Sequence, residues 1–159
     1  MDFEKQFTER LGDAKKLLIL GVGNDIRQDD GVGPKIIRDL QGKVSGKVKL
    51  VDAGTVPESF TGVIKSFKPT HILIIDAAGM GTPPGYMKFI EKDQILGVSF
   101  STHQMPLSLL IEYLESEMDS KIYLLGIQPA SNEFGGNLTS EVKKAKERIV
   151  NLILNIFKK

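Results

Sequence analysis

A three-layer α/β/α sandwich on a twisted, mostly parallel sheet of about five strands is the fold this sequence predicts, and three observations predict it. Short continuous apolar runs, "LLIL" at 17–20 and "ILII" at 72–75 among them, suit strands covered on both faces. Stretches with apolar residues at helical spacing stand between such runs, so strands and helices alternate. At 159 residues, 41% of them hydrophobic, the chain can bury one compact core and is short for two, so residues 1–159 read as a single domain.

Residues 16–22, "KLLILGV", form the first strand, closed by glycine. In the helix that follows, Val32, Ile36, Ile37 and Leu40 share a stripe, with Pro34 in the first turn and Gly42 as a stop. "KVKLVDAG" (47–54) is the second strand, and "TVPE" (55–58) resembles a capping box ahead of a helix carrying Phe60, Val63, Ile64 and Phe67. "HILIIDAA" (71–78), the most apolar run, predicts a central strand. A Gly/Pro-rich turn at 79–85 leads to "YMKFI" (86–90), a shorter strand of antiparallel edge character. A helix opens near Pro106 within 102–116, "KIYLLGIQP" (121–129) is a further strand, and a long helix closes the chain from Thr139. Its stripe is Val142, Ala145, Ile149, Leu152, Ile153 and Ile156.

Composition excludes several functions. Lys+Arg 21 against Asp+Glu 20 leaves a net charge of +1, which gives no global field to hold nucleic acid or an anionic membrane. Cysteine is absent, so disulfides, iron–sulfur clusters and thiolate zinc sites are excluded, and a metal site must be rich in carboxylates. The charged N-terminus has no signal-peptide core and the apolar runs fall short of a membrane span, which predicts a cytoplasmic protein.

Ligands of open α/β sheets bind beyond the carboxyl ends of the strands. There, "GVGNDIRQDDGVGP" (21–34) delivers Asp25, Asp29 and Asp30, "VKLVDAG" delivers Asp52, and "HILIIDAA" delivers Asp76. If those strands are parallel neighbours, Asp30, Asp52 and Asp76 share one rim. Each acid alone has a plainer reading: Asp29 or Asp30 as a helix cap, Asp52 and Asp76 as turn residues. His71, away from the acid motifs, reads as structural or exposed, and a lone loop histidine such as His103 is ambiguous. The convergence of the set is the stronger signal. A nucleotide site is disfavoured: the dinucleotide fingerprint needs a third glycine where Ile26 stands, and "GVGPK" lacks the phosphate-loop spacing. No serine elbow occurs, leaving carboxylates and imidazole.

The patches "LLILGVGNDIRQDDGVGP", "VDAGTVPE", "HILIIDAAGMGTPPG", "STHQMPL" and "LLGIQP" resemble, in order and nearly in spacing, those of the hydrogenase maturation endopeptidases. "THQMP" and "LGIQP" are most similar to the branch serving formate-hydrogenlyase or hydrogenase 3 type enzymes. The resemblance implies an enzyme that removes a C-terminal tail from a [NiFe]-hydrogenase large-subunit precursor after nickel insertion. The family's metal-contacting residues match Asp30, Asp76 and His103, and Asp52 is a candidate supporting base. Some relatives carry Glu at the position of Asp30, and Ala53 stands where many have Gly. The expected metal is nickel supplied by the precursor, with zinc or cadmium able to occupy the site in isolation; the expected partner is the precursor, with neither nucleic acid nor membrane. Glycines 21, 23, 31 and 33 are expected to let another chain's backbone approach. Two rival functions use the same features: a non-catalytic nickel-checking chaperone, and a nucleotide-binding module built on the glycine loop.

Overall fold

The computed structural model describes residues 2–100 and 105–159. Its sheet has the order β2-β1-β3-β6-β4, formed by β1 (Leu17–Val22), β2 (Val48–Gly54), β3 (His71–Gly79), β4 (Met87–Ile90) and β6 (Lys121–Ile127). β1, β2, β3 and β6 run parallel; β4 is antiparallel at the edge, and β5 (Ser99–Phe100) pairs antiparallel with the end of β3. β3 is central, as its continuous apolar run requires, and every residue of it from His71 to Ala78 is buried.

Period-two alternation splits the strand residues between two cores. Leu17, Ile19, Leu73 and Ile75 face α1 (Phe3–Leu11), α2 (Val32–Leu40) and α5 (Ser140–Phe157). Leu18, Leu20, Ile72 and Ile74 face α3 (Thr61–Phe67) and α4 (Leu107–Glu117). A fully buried Leu or Ile stabilises by about 1.5–3 kcal/mol, so both helical layers are needed to cover this sheet. No helix among the described residues is long and apolar enough to cross a membrane.

Three local features differ from the expected ones. α1 fills the charged N-terminal stretch: the Asp2 side chain accepts from Lys5 N–H, while Phe7 and Leu11 are buried. Residues 55–58 make no side-chain cap; a 3-10 turn at Pro57–Phe60 precedes α3. The closing helix buries Val150 and Phe157 as well as Val142, Ala145, Ile149 and Ile153, while Leu152 and Ile156 lie at its margin.

The chain leaves β1 toward β2 on one side and leaves β3 toward β6 on the other. The carboxyl ends of β1 and β3 therefore flank a topological switch point, where neighbouring connections diverge and open a crevice. Asp30 follows β1 in the 3-10 turn Gln28–Gly31, and Asp76 lies in β3 one residue beyond the Gly21–Ile75 pair.

Candidate functional site

Close packing of α2 creates this edge. A Cβ on Gly33 would stand 2.5 Å from the Val22 carbonyl oxygen and 2.6 Å from that of Ile75, and one on Gly21 would stand 2.5 Å from the Gly33 carbonyl oxygen. Gly31 is hemmed by Asp25 Cα and Lys35 Nζ at 2.7 and 2.9 Å. Gly23 has φ 141°, and its missing side chain leaves room for the Asp30 carbonyl. Gly21 and Gly33 seat the chain's own helix on its own strands, and Gly23 and Gly31 close the turn between them, which corrects the expectation that these glycines admit another backbone.

The adjacent acids Asp29 and Asp30 have opposite environments. Asp29 is fully buried, and its carboxylate accepts four hydrogen bonds from the far end of the chain. Ala130 N–H and Ser131 N–H donate at 2.8 and 3.1 Å, Thr139 N–H at 2.8 Å and the Thr139 hydroxyl at 2.7 Å. Thr139 is the N-cap of α5, so Asp29 braces the closing helix and does not cap α2. Asp30 is 1% exposed; one carboxylate oxygen accepts from Asn24 N–H at 2.9 Å, and the other is buried with no hydrogen-bond partner among the described residues. Such an atom costs desolvation unless a ligand compensates it.

Asp76 is fully buried. It lies between Ile74 and Ala78, whose core is that of α3 and α4. Asp52 lies between Val51 and Ala53, which belong to that same core, so alternation turns Asp52 to the α2 face. There its carboxylate accepts from Gly54 N–H at 3.2 Å and lies 3.6 Å from Arg38, which also pairs with Asp25. The parallel neighbours thus put Asp30, Asp52 and Asp76 on one edge, with Asp52 and Asp76 facing opposite layers. The hydrogen bond from Arg38 holds the Asp25 carboxyl below its ordinary pKa, and the same bond raises that of Arg38. Burial lowers the pKa of Lys35, against the opposing charge of Asp25.

His103 lies outside the described residues. Among those described, no three His, Cys, Asp or Glu side chains stand close enough together to hold a metal ion. His71 is buried at the opposite end of β3, between Asp13 and Thr70.

Sequence reasoning missed two supports of the edge. Asp29 is one: neighbouring residues of a tight turn point about a third of a revolution apart, so only one of two adjacent acids could face the crevice. Gln128 is the other; its side-chain oxygen accepts from Met80 N–H at 2.6 Å and from Thr82 N–H and hydroxyl at 3.4 and 3.2 Å, bracing the loop after β3.

The family model described as HycI hydrogenase maturation protease matches residues 34–156. The hydrogenase 3 maturation protease of Escherichia coli K12 is 35% identical over 133 residues, 83% of this chain and 85% of that one. The crystal structure of a [NiFe] hydrogenase maturation protease HycI from Thermococcus kodakarensis superposes with a TM-score of 0.86 at 30% identity, covering 95% and 97% of the two chains. The solution structure of the endopeptidase HycI from E. coli gives 0.77 at 34% identity, covering 86% and 87%.

Proposed function

Because the chain belongs to the hydrogenase maturation protease family, we propose that it removes the C-terminal extension of a [NiFe]-hydrogenase large-subunit precursor after nickel insertion, recognising the metal through Asp30, Asp76 and His103. The observation that carries this reading is the buried oxygen of Asp30 at the switch point, which has no hydrogen-bond partner among the described residues. A carboxylate held in that state gains most from a cation brought to it. Asp76, buried on the neighbouring strand, supplies a second oxygen donor, and His103 an imidazole. This mixed donor set suits a borderline divalent ion and leaves positions free for the substrate's own ligands.

Nickel here is part of the substrate. Binding it fixes the adjoining tail in the crevice, so the scissile peptide is oriented before any bond changes. Water then adds to the peptide carbonyl, the C–N bond breaks, and the released amine takes a proton. The water is activated by a carboxylate or the carbonyl is polarised by the metal; Asp52, tied to Arg38, supports the edge from the α2 side. Since the donors complete the coordination of a metal already in the precursor, specificity follows from differential binding to the loaded form.

The test is to prepare one precursor with and without nickel and to confirm that a nonspecific protease reaches both tails equally. Tail release is then followed by mass spectrometry. Cleavage of only the loaded form is expected. Equal cleavage of both would remove nickel gating and leave the peptidase, and tight binding of loaded precursor without hydrolysis would favour a checking chaperone.

A further inference from the structure

Two loops at the carboxyl edge are joined into one rigid piece. Gln28 N–H donates to the Gly135 carbonyl at 2.8 Å, Gly135 N–H to that of Ile26 at 2.9 Å, and Asp29 N–H to that of Ser131 at 3.1 Å. The Asp29 carboxylate adds its four bonds beneath them. Gln28 is held at φ 42°, a conformation that L residues with side chains adopt only when their surroundings impose it.

This brace holds apolar side chains in water. Phe134 is 74% exposed and Ile26 56%, on backbone segments bonded to each other. The Arg27 guanidinium lies 4.4 Å from the Phe134 ring centre and forms no ion pair among the described residues. An aromatic, a branched aliphatic and an arginine on a stiff support are the chemistry of interface anchors: large contact area at little entropic cost. Their position identifies the occupant, since the turn that follows Arg27 carries Asp30.

We infer that the linked loops dock the folded body of the nickel-loaded precursor beside its tail, Ile26 and Phe134 filling apolar hollows and Arg27 meeting an acidic group. This rests on the proposed peptidase function. The docking energy is the same before and during bond cleavage, so it sets KM and leaves kcat alone.

The experiment compares wild type with the double variant Ile26→Ser/Phe134→Ser, folding being checked by circular dichroism, on nickel-loaded precursor. KM should rise at least about tenfold with kcat changed less than about twofold. Arg27→Glu should raise KM by a smaller factor that shrinks in high salt. An unchanged KM in the double variant overturns docking while the peptidase stands. If wild type binds the precursor without cleaving it, the peptidase reading fails, and the affinities of the two chains decide docking in the same way. Failure to bind or cleave overturns both. Self-association of wild type, lost in the double variant with precursor affinity unaltered, overturns docking in favour of a second copy of this chain.

Discussion

At the amino edge of the sheet His71 and Asp13 satisfy each other, whereas at the carboxyl edge Asp30 keeps a buried oxygen that nothing described in the chain satisfies. The amino edge has the more conspicuous hollow, a cavity of about 690 Å³ lined by Lys15, Lys68, Lys121 and His71. Its contents are nevertheless accounted for. His71 Nε2 lies 3.1 Å from Asp13, its Nδ1 lies 2.8 Å from the Thr70 hydroxyl, and α3 and α4 end there, where their free carbonyls favour lysines. Unmet bonding capacity marks a working edge better than volume does.

The largest effect should come from exchanging the two edges' acids. Asp30→Ala should cut release of the precursor tail by at least about 100-fold, the range of a lost acid–base or ligand group, while Asp13→Ala leaves it within about twofold. Mass spectrometry of the product decides, and equal effects at both ends would break the comparison.

Stability should sort the same acids differently. Asp29→Ala strands four donors around a buried site and should cost about 3 kcal/mol in urea unfolding; Asp13→Ala removes one mostly exposed partner of the buried His71 and should cost less, about 1 kcal/mol. A near-neutral Asp29→Ala would mean that packing and the backbone bonds between the loops suffice to hold them.

The smallest expected effect concerns Asp25. Its folded pKa lies below the ordinary value because Arg38 bonds to it, so it binds protons less readily folded than unfolded. The resulting stability is fully present above the unfolded pKa of about 3.9 and disappears as pH falls through the lower folded value. Half-exposure of the Arg38 pair and solvent screening keep it small. The stability difference between wild type and Asp25→Asn, read from urea midpoints, should therefore vanish in acid and diminish in salt.

The five longer strands and four of the helices are legible in the sequence from their apolar period, although α3 buries only Ile64 of its expected stripe and leaves Val63 exposed. α1 is not, since Phe3, Phe7 and Leu11 are a thin stripe in a charged segment and become informative only when Phe3 stacks on Phe89, 5.6 Å away. β5 is two residues long and exists through its pairing with Ala78 and Gly79. At the site, the edge itself followed from strand endings, and Asp30 and Asp76 lie on it. What separates Asp29 from Asp30 could not be read locally, because the four donors to Asp29 arrive from residues 130, 131 and 139.

Those distant donors also bear on when the enzyme becomes competent during its synthesis. A nascent chain stalled after β3 would contain Asp30, Asp52 and Asp76, yet the Asp29 carboxylate would lack partners that lie 101 to 110 residues downstream. Closing so long a loop has an entropic cost that only the docking of the last helix offsets. The turn carrying Asp30 thus acquires its final shape among the last events of folding, and a chain truncated before Thr139 would bear Asp30 and Asp76 without the bonds from Thr139 that brace the turn beside them.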